Sequence, residues 1–304
     1  MCTSFAVYHQ KKAIYGMNFD TDEIALKLKI NRYHDRNLFY FSALLENKYR
    51  DIAGFNSEGL FICTQAVDYG PDFQSGCDEN DWYAFDLLDE VLKKAKKSSD
   101  SFEILNKRVI SYPRNPLYPN LGLHTMIADK SGDAFILEEG GDTNRISPIS
   151  DDFIVMTNFP NGNFKDEDYR KVSGIGADRY VCAYESIQKH IQSFGINEAF
   201  EVLSKTSQKN TLCSIVYEPL KNEIYISFKK DLSKKWKISV IEKTIQSTDG
   251  FPEIMPLHTG STHPLPKTRT RVSPACNMEI TATTASYPPF GRAIHATYAC
   301  RKSP

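Results

Sequence analysis

The first seventy residues form a series of short aromatic and aliphatic runs separated by polar breaks. That pattern predicts strands over Cys2–Tyr8, Ala13–Phe19, Ala25–Asn31 and Leu38–Leu44. Asp51–Phe55 and Leu60–Val67 flank Asn56-Ser57-Glu58-Gly59 and read as a hairpin around a glycine-containing turn. The period then lengthens. Ala84, Leu88, Val91, Leu92 and Ala95 share one face of a helix, and Lys93, Lys94, Lys96 and Lys97 gather at its C-terminal end, where cations suit the helix dipole. Phe102–Ile110 predicts a second helix. Strands resume at Leu123–Ala128, Ala134–Glu138 and Phe153–Met156, the first two joined by a turn at Lys130-Ser131-Gly132-Asp133. Gly176 to Phe194 is strongly helical in period, with Tyr180, Tyr184, Ile187 and Ile191 on one stripe, and Ile196–Thr206 continues helical. Leu212–Tyr217, Glu223–Phe228 and Trp236–Ile241 close the series as strands. This order predicts an α+β fold of two antiparallel sheets flanked by helix layers, without internal repeats.

Near Ser247 the pattern stops. Residues 251–304 hold eight of the fifteen prolines and six Lys+Arg against two acids, with no useful helical or strand period. Such a segment cannot bury enough apolar surface to order itself. The expected organisation is therefore a folded domain over 1–248 and a disordered or non-native tail over 249–304. Cys276, His295 and Cys300 could be read as metal ligands there, but they lack zinc-finger spacing.

Composition narrows the function classes. The 304 residues carry a formal charge of -1, so there is no basic footprint for nucleic acid. No apolar run is long enough to span a bilayer, and the N-terminus lacks the charged and apolar regions of a signal peptide. Seven cysteines, odd in number and irregular in spacing, fit a reducing cytoplasm better than a disulfide framework. Cys63, Cys182 and Cys213 lie in apolar runs and read as buried small hydrophobes.

Candidate chemistry begins at Met1-Cys2-Thr3-Ser4. Removal of Met1 would leave a thiol and a free α-amine on Cys2. The amine titrates near ~7.7–8.0 and the thiol near ~8.5, so one residue can supply nucleophile and base. On position alone Cys2 is also an ordinary start to an apolar strand. Asp20, closing Gly16-Met17-Asn18-Phe19-Asp20, could hold that amine or could belong to a solvated turn. Asn158, in Thr157-Asn158-Phe159-Pro160, could donate to a developing oxyanion or be ordinary turn chemistry. Arg179 could stabilise a thiolate or be a surface charge.

Taken in order, Cys2 with Thr3, Gly16-x-Asn18-x-Asp20, Asn56-x-x-Gly59-Leu60, His124-x-x-Ile127-Ala128-Asp129-x-x-Gly132, Thr157-Asn158-x-Pro160 and Arg179 resemble the choloylglycine hydrolase (linear amide C–N hydrolase) family, over about residues 2–245. The resemblance implies the N-terminal nucleophile fold, an αββα sandwich. It makes Cys2 the nucleophile and its α-amine the base, with Asp20 orienting the amine, Asn158 donating to the oxyanion and Arg179 beside the nucleophile. Met17, Asn18, Gln65 and Ala66 fall at substrate-binding positions. Met17 stands where penicillin V acylases and bile salt hydrolases usually carry Arg, and Gln65-Ala66 departs from the family's second oxyanion donor. Both changes suit a more apolar site.

The implied reaction is hydrolysis of a linear N-acyl amide through a thioester, without metal or organic cofactor. The partner is a small-molecule amide, and a homo-oligomer (dimer or tetramer) is expected from the resemblance. Two other readings stay open. One is an N-terminal-cysteine glutamine amidotransferase, although the glycine expected after its cysteine is Thr3 here. The other is an inactive relative that acts as a binding protein.

Overall fold

The computed structural model describes residues 1–247, except 22–23, 46, 72, 74–81, 113–119, 142, 165–166, 229 and 243, and beyond them residues 255–256, 262–263 and 278–283. The opening strands are β1 (Thr3–His9), β2 (Lys12–Asp20), β3 (Leu26–Tyr33), β4 (Arg36–Leu45), β5 (Lys48–Asn56) and β6 (Phe61–Asp68). β1 and β2 form a hairpin at the heart of the first sheet. There β1 also pairs with Phe153–Met156, and β2 pairs with Thr211–Glu218. Glu223–Phe228, Trp236–Ser239 and Thr244–Ser247 extend that sheet antiparallel. The second sheet runs from β3 through β4, β5 and β6 to Leu121–Ala128, Ala134–Glu139 and Asn144–Pro148, again antiparallel.

Alternation along each strand explains the layering, because successive side chains point to opposite faces. On β1 and β2, Cys2, Ala6, Tyr8, Tyr15, Met17 and Phe19 turn toward the second sheet. Phe5, Val7 and Ile14 turn the other way, onto helices α3 (Ala177–His190) and α4 (Ile196–Lys205). In the second sheet, Phe39, Phe41, Phe61 and Cys63 face the first sheet. Leu38, Tyr40, Leu60 and Ile62 pack on α1 (Ala84–Lys94), beside α2 (Ser101–Leu105). Both sheets are thus buried on both faces, and the result is a four-layer αββα sandwich. Aromatic rings bridge the inner layers. Tyr15 stacks on Phe61 at 5.4 Å between centroids, and Phe55 meets Tyr217 at 4.4 Å.

The second expected helix is cut short. It ends at Leu105, and Ile110–Ser111 pairs as a short strand with Trp82–Tyr83. The side chain of Asn144 accepts from the Ile110 N–H and donates to the carbonyls of Leu105 and Arg108, an alternative to helical bonding that no local period reveals. Sequence reasoning also passed over the Asn144–Pro148 edge strand, and it ended the Trp236 strand two residues late, where a turn follows Ser239. Within residues 251–304, where the sequence holds no useful strand period, Met278–Thr283 runs parallel to β3, and Met255–Pro256 and Thr262–His263 add short antiparallel pairs. The rest of the expected tail, with Cys276, His295 and Cys300, lies outside the described residues. Among the described residues no helix is long and apolar enough to cross a membrane.

The hairpin expected at Asn56–Gly59 forms, and Asn56 does more than turn the chain. Fully buried, it accepts at Oδ1 from the N–H groups of Glu58 and Leu60. Its Nδ2 donates to the Leu92 and Ala95 carbonyls at the end of α1. Truncating it orphans groups on both elements, so Asn56→Ala should lower unfolding free energy by about 2–4 kcal/mol in urea titrations. A loss below about 0.5 kcal/mol would show that water replaces the whole set.

Candidate active site

Four strands of the first sheet have their termini together at one end of the sheet. Because β1 is antiparallel to both neighbours, its start lies beside the end of β2 and the end of Phe153–Met156. The start of Thr211–Glu218 meets the end of β2, with Thr211 opposite Asp20. Cys2, Asp20 and Asn158 therefore converge from positions far apart in sequence.

Arg179, in the first turn of α3, joins them. Its guanidinium donates through Nη1 to the Cys2 carbonyl and to Thr3 Oγ1 (2.8 Å), and through Nη2 to Asn158 Oδ1 (2.6 Å). Nη1 also lies 4.0 Å from Asp20 Oδ2. The surface-charge alternative for Arg179 is therefore excluded, since the side chain is buried within this cluster. The entry to α3 is shaped for it. Gly176 has φ +84°, and a Cβ there would sit 2.4 Å from Arg179 Nη2 and 3.2 Å from Thr157 Cβ. Only glycine combines that conformation with that clearance.

Asn158 is held from both ends of its amide. Oδ1 accepts from the Cys2 N–H at 3.0 Å as well as from Arg179, and Nδ2 donates to the Ala66 carbonyl at 2.6 Å. That bond uses one of the two amide hydrogens. The Asp20 carboxylate accepts from Thr211 Oγ1 (2.6 Å) and Gln208 Nε2 (2.9 Å). Its main-chain carbonyl, rather than the carboxylate, takes the Met1 ammonium at 2.5 Å.

No protein-family model matches the chain, and no curated protein matches it by sequence. Solved structures do match it. The C2A mutant of conjugated bile acid hydrolase from Clostridium perfringens superposes with a TM-score of 0.59 at 14% identity, over 83% of this chain and 97% of that one. Penicillin V acylase from Agrobacterium tumefaciens gives 0.56 at 15% identity, over 82% and 91%. The chain has the N-terminal nucleophile fold.

Within this fold the expected residues separate into two groups. Cys2, Asp20, Asn158 and Arg179 meet as described, and Met17 shares with Cys2 the face turned toward the second sheet. Asn18 faces the opposite way. Its amide donates to the Leu203 carbonyl and Thr206 at the end of α4 and accepts from Ser214, so it ties the helix layer to β2. Gln65 has both ends of its amide engaged, Oε1 by Ser4 (3.1 Å) and Nε2 by the Thr157 carbonyl. Ala66 enters through its carbonyl. Sequence reasoning missed Gln208, which grips Asp20 from the loop after α4, Thr211, which grips it from the start of the following strand, and Ser4. Only the N-terminal run of Cys2-Thr3-Ser4 hinted at the last.

Burial dominates the electrostatics. It raises the Cys2 thiol above its ordinary range, against the lowering pull of the Met1 ammonium and Arg179. Cys63, also facing the inter-sheet layer, is pushed up to about 12 by burial. Burial lowers Arg179, opposed by Asp20 and Cys2. Asp20 is raised by burial despite its bonds to Thr211 and Gln208 and the nearby positive charges. Because its folded value exceeds the unfolded one of about 3.9, Asp20 adds stability below the unfolded value, and that contribution is lost as pH rises through the folded value. Measured against Asp20→Asn across that window, the wild type should gain relative stability as pH falls. A pH-independent difference in chemical denaturation would contradict the shift.

Proposed function

We propose that this chain hydrolyses a linear N-acyl amide, with Cys2 as nucleophile. Cleavage before Cys2 turns its N–H, already 3.0 Å from Asn158 Oδ1, into the α-amine that serves as base. The thiol gives its proton to that amine as Sγ attacks the carbonyl carbon. The oxyanion accepts a hydrogen bond from the second Nδ2 hydrogen of Asn158. Arg179 holds the Cys2 carbonyl and the Asn158 oxygen in register, and Asp20 balances its charge within the buried cluster. Collapse expels the amine, which leaves with the proton held by the α-amine. Water, deprotonated by the same amine, then cleaves the thioester and releases the acid, and the amine returns that proton to the departing Sγ. Every proton is moved by groups of this chain.

The observation that carries this reading is the meeting of Cys2, Asn158, Asp20 and Arg179 in one hydrogen-bonded cluster. The solved structures of the same fold support it, since those proteins are named as a bile acid hydrolase and a penicillin V acylase. Met17 and the other apolar side chains on the Cys2 face favour an apolar acyl group. Cys2→Ser should retain the fold and lower amide turnover by about 100-fold or more in steady-state assays. Unchanged kcat in a correctly folded variant would remove Cys2 from the mechanism.

A further inference from the structure

The segment that carries Asn158 is gripped from the second sheet by groups the reaction does not use. The Thr157 carbonyl accepts from two side chains there, His124 Nε2 at 2.7 Å and Gln65 Nε2. His124, on the Leu121–Ala128 strand, is completely buried, and its Nδ1 faces Glu138 Oε1 at 3.4 Å. Glu138, equally buried on the adjoining strand, also accepts from the N–H groups of Asn161 (2.7 Å) and Gly162 (2.9 Å). Thr157-Asn158-Phe159-Pro160 is thus clamped at its start by His124 and just past its end by Glu138.

His124 Nε2 also lies 3.3 Å from Gln65 Nε2. The shorter contact, 2.7 Å, is to the Thr157 carbonyl, and a carbonyl oxygen only accepts, so Nε2 carries a hydrogen. A buried carboxylate and imidazole are expensive to keep in a core that hydrophobic side chains could fill. Their placement gives that expense a use. A carbonyl fixed one residue before Asn158 sets the direction in which the Asn158 amide leaves the chain.

We propose that His124, backed by Glu138, is a positioning residue that locks the Thr157 carbonyl and thereby aims the Asn158 amide at Cys2. This rests on the function proposed above.

Two isosteric replacements separate this role from a contribution to folding. In His124→Gln the amide nitrogen stands at the Nε2 position and keeps the donor to Thr157. In His124→Asn it stands at the Nδ1 position and keeps only the contact to Glu138. With both variants folded by thermal melting, His124→Asn should lose kcat by about 10–100-fold with KM within about twofold, while His124→Gln stays within about threefold of the parent. Equal kcat in the two variants, or a change confined to KM, would overturn the proposal. Should neither variant fold, 15N NMR of the Cys2→Ala protein reads the tautomer directly. A protonated Nε2 on His124 is expected, and an unprotonated one overturns the proposal. Because that spectrum needs no substrate and no nucleophile, its outcome is independent of whether Cys2 performs the reaction.

Discussion

The buried guanidinium of Arg179 is the interaction on which the rest of the site depends. Taking such a charge out of water costs several kcal/mol unless partners surround it, and breaking the pairing strands what remains. Here the partners are the Cys2 carbonyl, Thr3, Asn158 and Asp20, at or just beyond the ends of three strands of one sheet. The helix bearing Arg179 must therefore begin over that end of the sheet. Gly176 allows this by removing the side chain that would otherwise occupy the guanidinium's place. One charge thus ties the start of that helix to the Cys2 carbonyl, Thr3 and the Asn158 oxygen.

The second sheet contributes more than a hydrophobic floor. Ser4 and Gln65 join across the apolar layer next to Cys2, and Gln65 passes the connection on to Thr157. His124 and Glu138 hold the same segment from neighbouring strands. Ser4, Gln65, His124 and Glu138 are tolerable in an apolar layer because their side chains find partners, and such a network specifies one packing. Cys2 thus sits between a charged clamp on its helix side and a hydrogen-bonded polar network on its sheet side.

Much of this was legible in the sequence, for physical reasons. Strand runs such as Thr3–Tyr8 and Leu38–Ala43 are buried on both faces, so apolar content alone marks them, and the stripes of α1 and α4 follow helical spacing. Cys2, Asp20, Asn158 and Arg179 could be singled out because a cysteine directly after Met1 and an ordered set of short motifs marked them. What sequence concealed were side-chain bonds over long distances. Asn144 ends the second helix, Thr211 and Gln208 hold Asp20, and Asn18 turns toward α4 although Met17 beside it faces Cys2. None of these pairings has a local period. Gln65 likewise occupied the expected position with its amide already committed.

The central claim is that Cys2 carries the acyl group with its own amine as base. Intact mass spectrometry of the purified protein, before and after brief incubation with a panel of N-acyl amides, tests it most directly. The account predicts a chain beginning at Cys2 that gains the mass of one acyl group, and a Cys2→Ala protein that gains none. A chain that turns over amide while retaining Met1, or an adduct that persists in Cys2→Ala, would contradict it.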